Sequence, residues 1–235
     1  MDSRFRSNGE MTILSPAHMA AAGRSAMHTE ITLHGTALSG HTHRVELLLR
    51  ALGLPYRFEA APADVRRSEA FLQLNPLGQI PVLQDGDLAL ADSNAIMVYL
   101  ARRYDPQGPW LPLDPLQAAQ VQRWLSIAAG EVMHGPATAR MIVQFGLCDD
   151  KARARRVAER LFPFMEAHLS KRSFLAADHP TLADLACYSY VAHAPEGGLS
   201  LASYPSLRAW LARIEALSFF KPIPPSPLPE ETSDD

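Results

Sequence analysis

Apolar and polar positions alternate over Ile31-Thr-Leu-His-Gly35, the period of a strand, and the run closes on a glycine. The period then changes. Val45, Leu48, Leu49 and Leu52 fall at i, i+3, i+4 and i+7, the stripe of a helix ended by Gly53. Tyr56-Arg-Phe-Glu59 alternates again as a second strand, and Ser68 to Leu74 reads as a short helix. Pro81-Val-Leu83 and Leu88-Ala-Leu90 flank Asp85-Gly86, a strong hairpin signal. Helical spacing resumes at Ser93, with Ile96, Tyr99 and Leu100 on one face. The predicted order is β-α-β-α-β-β-α over residues 30–104. A strand–helix–strand opening followed by a hairpin implies a small mixed sheet with helices on its faces.

From Asp114 onward the strand signals stop. Residues 115–145 carry Ala, Gln, Leu, Val and Met at helical spacing, and 151–170 form a basic helix whose apolar face is Val157, Leu161, Phe164 and Leu169. Thr181–His193 and Pro205–Leu217 are two more helices. The switch from mixed α/β to all-helical marks a domain boundary, with Asp105-Pro-Gln-Gly-Pro109 as the linker. The expected organisation is a disordered extension over 1–29, an α/β domain over 30–107, an all-α domain over 108–220 and a Pro-rich acidic tail over 221–235. The first 29 residues lack a sustained period. Arg4 and Arg6 lead into Ser7-Asn8-Gly9-Glu10 rather than the apolar stretch of a secretory signal, and a start placed too early, with Met27 just before the first strand, is the alternative. The tail begins Lys221-Pro-Ile-Pro-Pro-Ser-Pro-Leu-Pro, which excludes regular structure there, and both ends are expected to be loose.

Composition narrows the class. At 235 residues the chain holds about one and a half domains of ordinary size, and 47% hydrophobic residues suffice to bury a core. Lys+Arg of 22 against Asp+Glu of 25 argues against a dedicated nucleic-acid binder. The net charge of −3 gathers at one end, where Lys221 faces Glu230, Glu231, Asp234 and Asp235. Two cysteines, Cys148 and Cys187, without a C-x-x-C, exclude a disulfide framework and a four-thiolate zinc site and suit a reducing cytosol. No apolar run reaches the length of about 18 residues that a membrane helix needs.

Four junctions between elements have chemical potential. In Leu38-Ser-Gly-His-Thr-His-Arg44, Ser39 precedes a helix, so its hydroxyl either caps backbone N–H groups or donates to a bound thiolate that the positive helix end favours. His41 and His43 lie two apart on a helix and face different directions, which speaks against a metal pair. In Asn75-Pro-Leu-Gly-Gln-Ile-Pro-Val-Leu83, Pro81 is an ordinary strand start, or part of a cis peptide that leaves the Ile80 backbone free for a peptide-like ligand. In Ala91-Asp-Ser-Asn-Ala-Ile96, Ser93 is read as the N-cap of the next helix. That helix start also suits a carboxylate, and Asp92 beside it suits an ammonium group. Thr181-Leu-Ala-Asp184 is a capping box, read as structural.

In this order and spacing, L-S-G-H-T-H-R-V-E-L, N-P-L-G-Q-I-P-V-L, D-S-N-A-I and T-L-A-D resemble the cytosolic glutathione transferases over residues 30 to about 218. The resemblance implies a thioredoxin-like α/β domain followed by an all-α helical domain. It makes Pro81 a cis proline and Ile80 the backbone partner of the cysteinyl part of glutathione. Asp92 and Ser93 become the grip on its γ-glutamyl head, and Gln79 stands near its glycine carboxylate. Ser39 falls where serine-type members keep the hydroxyl that steadies the thiolate, with His41 or Thr42 as substitutes. The loop has no cysteine, which disfavours cysteine-based thiol transferases, and neither strand one nor the loop has a tyrosine.

The implied reaction is attack by glutathione, as co-substrate and without a metal, on a hydrophobic electrophile. Met133, His134, Met141 and Phe145 are candidates for the electrophile pocket, or ordinary core. A glutathione-dependent disulfide reductase or isomerase on the same site, and a regulatory protein that kept the fold without turnover, are the alternatives. The resemblance also implies a cytoplasmic homodimer with no nucleic-acid or membrane partner.

Overall fold

The computed structural model of the chain describes residues 30–229, so the extension expected over 1–29 lies outside the described residues. Strand β1 (Ile31–Gly35) leads through helix α1 (Gly40–Ala51) to β2 (Tyr56–Ala60). Two short helices follow where one is predicted, α2 (Ala63–Arg66) and α3 (Glu69–Leu74). The second begins where Ser68 accepts a hydrogen bond from the Phe71 N–H. The hairpin is β3 (Val82–Asp85) and β4 (Leu88–Ala91), closed by α4 (Ser93–Tyr104).

The sheet order is β2-β1-β3-β4, with β1 and β2 parallel and the other pairs antiparallel. Leu33 stands opposite Leu83, and both are fully buried, which fixes the register of the central pair. Asp85, the first residue of the hairpin signal, accepts from the Tyr99 and Tyr104 hydroxyls at 2.8 and 2.5 Å and so fastens the hairpin to α4.

The second domain opens with α5 (Pro115–Ile127), capped by Asp114, and runs on through a π-helical segment (Ala128–Ala137) into α6 (Thr138–Phe145). Pro136 lies inside the wide segment and offers no N–H to a regular helix ladder, while the Thr138 hydroxyl donates to the Met133 carbonyl at 2.8 Å. Helices α7 (Lys151–Leu169) and α8 (Leu182–Ala192), a 3-10 turn (Ala194–Gly197) and α9 (Pro205–Glu215) complete it. On α7 the buried stripe is Ala154, Val157, Ala158, Leu161, Phe162, Met165 and Leu169. Phe164 is a correction to the sequence reading. It is 38% exposed and lies on the Trp124 ring instead of in the stripe.

Helix α1 joins the domains, packing against β1 and α4 of its own and α8 of the other. Val45, Leu47, Leu48 and Leu49 are all fully buried, so a helix that reads as one-sided in sequence is covered nearly all round. His43 is part of that contact. Its Nε2 donates to the Lys221 carbonyl at 2.6 Å, and its Nδ1 lies 2.9 Å from the Ser189 hydroxyl. Burial lowers its pKa to about 4, which keeps the ring neutral.

The described part of the tail is a second correction: residues 221–229 have no regular structure but are not loose. Lys221 Nζ donates to Glu46 at 2.7 Å, Gln144 Nε2 donates to the Pro227 carbonyl at 2.7 Å, and Ile223 is buried. Prolines lack N–H groups, yet their carbonyls still accept. Arg140 gathers several of these threads from a position 1% exposed. It donates to Glu196 at 2.6 Å, to the Leu38 carbonyl at 2.8 Å and to the Ser226 hydroxyl at 3.3 Å, tying together the second domain, the loop after β1 and the tail.

Candidate active site

Ser39 is the N-cap of α1, in extended conformation, and its hydroxyl oxygen accepts from the Thr42 N–H at 3.2 Å. The helix has no acidic residue in its first turn, so nothing on it neutralises the positive end. Ser39 is half-buried. Capping and chemistry are therefore compatible, because a hydroxyl has two acceptor lone pairs and a separate proton.

The two substitutes differ. Thr42 points back into the protein: its side chain lies over Gly35, where an added Cβ would meet Thr42 Oγ1 at 2.4 Å, and it is buried. His41 points instead toward the start of α4. Its Nδ1 shares a hydrogen bond of 3.3 Å with Ser93, and burial, helped by the Arg44 charge, pushes its pKa down to about 3. A neutral imidazole there can accept or donate without adding charge. His41 and His43 have separate partners and do not converge on a common point.

Asp92, not Ser93, is the N-cap of α4. The Asp92 carboxylate accepts from the Asn94 and Ala95 N–H groups, both at 2.9 Å. Its φ of 70° is unusual for a residue with a side chain, and a conformation that costs about 1–3 kcal/mol persists where the surroundings fix it. Ser93 sits one residue further in, buried, as the first helical residue. Asp92 remains exposed, so its outer oxygen can still meet a cation, and the Ser93 hydroxyl is turned toward His41 and Arg44.

Arg44 is the residue that sequence reasoning missed as a site element. It is fully buried beneath Ser93, donating to Asn94 Oδ1 at 3.1 Å and approaching Ser93 Oγ at 3.5 Å. Its Nε and Nη2 have no hydrogen-bond partner among the described residues. A buried guanidinium with spare donors raises the potential at this helix start, which suits an anionic head group. The only sequence signal was its fixed distance from Ser39.

The Asn75–Pro81 turn is held by Asn75, whose amide donates to the Gln79 carbonyl at 2.9 Å while its Oδ1 accepts from the Leu77 N–H at 3.1 Å. Gln79 is exposed, and the Ile80–Pro81 bond is cis, as predicted. His41 and Arg44 of α1, close in sequence to Ser39, thus meet Ser93 at the start of α4 beside Asp92, while Ile80 and Pro81 lead directly into β3, next to β1.

The four electrophile candidates are not one cluster. Met133 packs against the main core and His134 is exposed. Phe145 lies 5.6 Å from the Arg140 guanidinium, which itself holds the Leu38 carbonyl, so α6 is tied to the Ser39 loop through Arg140. Met141, half-buried, stands on the same helix. A 340 Å³ cleft lined by Ile127, Glu131, Arg160, Leu161 and Phe164 shares no residue with any of these.

Comparison with known proteins points to one family. Residues 33–109 match the family model of the glutathione S-transferase N-terminal domain, and residues 138–218 match that of the C-terminal domain. Glutathione S-transferase 3 of Zea mays is 34% identical over 218 residues, covering 84% of this chain and 97% of its own. The crystal structure of a glutathione S-transferase from Pseudomonas fluorescens aligns with a TM-score of 0.76 at 32% identity, covering 82% of this chain and 98% of the other. A glutathione transferase homologue from Drosophila mojavensis, solved with glutathione bound, gives 0.73 at 29% identity, covering 80% and 89%.

Proposed function

The chain belongs to the glutathione S-transferase family, and from that premise we propose how its residues divide the reaction. The protein is a glutathione transferase with glutathione as its co-substrate. Ser39 steadies the glutathione thiolate. The observation that carries this role is an N-capping hydroxyl at a helix start that has no acidic residue of its own. The γ-glutamyl ammonium meets the Asp92 carboxylate, and its carboxylate meets Ser93 above the buried Arg44. The Ile80 backbone pairs with the cysteinyl unit, and Gln79 reaches the glycine carboxylate.

The thiol gives up its proton to solvent, and the thiolate forms the new S–C bond as the leaving group departs or an unsaturated carbonyl accepts the electron pair. Free thiols have pKa values of about 8.5, and each unit of lowering corresponds to about 1.4 kcal/mol, within the range of a charge-assisted hydrogen bond. The electrophile lies against α6, near Met141 and Phe145. Met133 and His134 stand on the preceding turns and contribute less. The protein acts as a cytoplasmic homodimer, in keeping with two cysteines that are both free thiols.

Retention on immobilised glutathione, followed by parallel assays with a chlorodinitrobenzene-type electrophile and a small disulfide, tests the assignment. Conjugation exceeding disulfide reduction is expected. The reverse preference would move the activity to the reductase reading, and failure to bind glutathione would remove the assigned site. Light scattering after size exclusion checks the dimer.

A further inference from the structure

Arg140, on α6, is buried in the second domain yet ends on the loop that carries Ser39. All three of its guanidinium nitrogens are engaged. Nε donates to Glu196 at 2.6 Å, Nη1 to the Leu38 carbonyl at 2.8 Å and Nη2 to the Ser226 hydroxyl at 3.3 Å. The anchor behind it is equally closed. The other Glu196 oxygen accepts from the Ser226 N–H at 3.2 Å and pairs with the His193 ring at 2.7 Å. Gly197 lets the 3-10 turn press this carboxylate against α6, because an added Cβ there would lie 2.6 Å from the Arg140 backbone nitrogen. Both partners of the ion pair are buried, and its charge-assisted bonds hold the guanidinium in one place.

We propose that Arg140 is a positioning residue for the transferase reaction, aiming the Ser39 hydroxyl by fixing the peptide unit in front of it. The Leu38 carbonyl and the Ser39 N–H belong to one planar unit. Arg140 holds the carbonyl end, and the Thr36 carbonyl accepts from the N–H end at 3.1 Å. On the far side of Ser39, its own carbonyl accepts from the His43 N–H at 2.9 Å. With the planes before and after it both tied, its φ of −79° and ψ of 117° are set from two sides, and so is the direction of its Cα–Cβ bond. The side-chain torsion is then held by the Thr42 N–H at 3.2 Å. Three of these four ties lie within residues 36–43, where a capped helix start supplies them by itself. The fourth crosses 102 positions of sequence and ends on a buried charge, which the cap alone does not need. A group that must meet a sulfur atom does need it, since a misplacement of about 1 Å costs up to about 100-fold in rate.

This inference rests on Ser39 being the group that steadies the thiolate, and the test separates the two. The thiolate band of bound glutathione is titrated, and kcat and the glutathione KM are measured, in the wild type, Ser39→Ala, the pair variant Arg140→Gln/Glu196→Gln, and that pair combined with Ser39→Ala. A glutamine amide nitrogen ends where Nε does, so the pair variant keeps a contact to residue 196, strands no buried charge and no longer reaches Leu38. It is expected to raise the bound thiol pKa by about half to one unit, which is about three- to tenfold less thiolate at a pH below that value, and to lower kcat in proportion. The glutathione KM should stay within about twofold, and the pair should add nothing once Ser39 is gone. Arg140→Lys, whose ammonium extends one atom beyond the glutamine amide, should recover part of the shift. Lys221→Met cuts the tail from Glu46 instead and should leave the titration in place, which controls for loosening of the tail. An unmoved thiol pKa in the pair variant beside a raised one in Ser39→Ala overturns the inference alone. So does a shift that persists in full without Ser39. If the pair variant does not fold, Arg140→Lys decides, and an unmoved thiol pKa there overturns the inference too. An unmoved thiol pKa in Ser39→Ala overturns the Ser39 reading itself.

Discussion

Helices α1 and α8 both start on a hydroxyl cap, and the two starts do opposite things. At α8 every polar atom is spent inside the protein. The Thr181 oxygen accepts from Ala183 N–H at 3.2 Å, and Asp184 accepts from the Thr181 and Leu175 N–H groups and the Trp210 indole, each at 2.9 Å. Asp184 is fully buried, which pushes its pKa up, and these donors together with the Thr181 hydroxyl pull against that shift. At α1 the same kind of cap has one N–H partner, no acid in the first turn and a half-buried serine. A helix start whose capping groups are all buried and spent within the protein is structural, and one whose capping residue stays partly exposed is available to a ligand.

The sharpest contrast comes from removing the carboxylate at the closed start. Asp184→Ala strands four buried donors, the three above and the Thr181 hydroxyl, at about 1–3 kcal/mol each, and partial relaxation leaves a destabilisation of about 4 kcal/mol, read as a lower urea midpoint. Glutathione turnover per folded molecule should be unchanged. At the open start the effects exchange. Ser39→Ala should lower kcat about 100-fold, while the lost cap costs only about 1 kcal/mol of stability.

Acid probes the same junction through His43. The folded ring has a pKa of about 4, whereas the unfolded ring titrates at about 6.5, so the unfolded chain binds the extra proton between those values and stability is lost as the pH is lowered through that window. Between pH of about 6.5 and about 5 this amounts to about 2 kcal/mol, and His43→Gln should flatten that part of the curve in urea titrations at each pH. His41, with a folded pKa of about 3, has the same sign and continues to lower pH. The smallest effect is expected at the third start. Asp92→Asn keeps a cap for α4 but loses its charge, and should raise the glutathione KM about tenfold with kcat unchanged.

Much of this was legible in sequence because it is local. The alternation of Ile31–Gly35, the hairpin at Asp85-Gly86 and the Thr181–Asp184 box each depend on a few neighbouring residues, and each is found where the pattern puts it. The N-cap of α4 was misread by one position. Both Asp92 and Ser93 are good caps, and only the backbone at φ 70° decides that the aspartate reaches the two N–H groups. What distance along the chain hides is the second domain's share of the site. Arg140 holding the Leu38 carbonyl, and Tyr190 lying on Gly40, pair residues that no periodicity connects. The fastened tail was equally hidden, since a proline run forbids elements but says nothing about its carbonyls.

The central claim is that the open start of α1, through Ser39, ionises glutathione. Titrating the ultraviolet thiolate band of glutathione bound to the enzyme, in the wild type and in Ser39→Ala, measures this without any electrophile. The account predicts a bound thiol pKa well below the free value of about 8.5 in the wild type, rising by at least about one unit in Ser39→Ala while the glutathione affinity is retained. A bound thiol that titrates at the same pH in both proteins would contradict it.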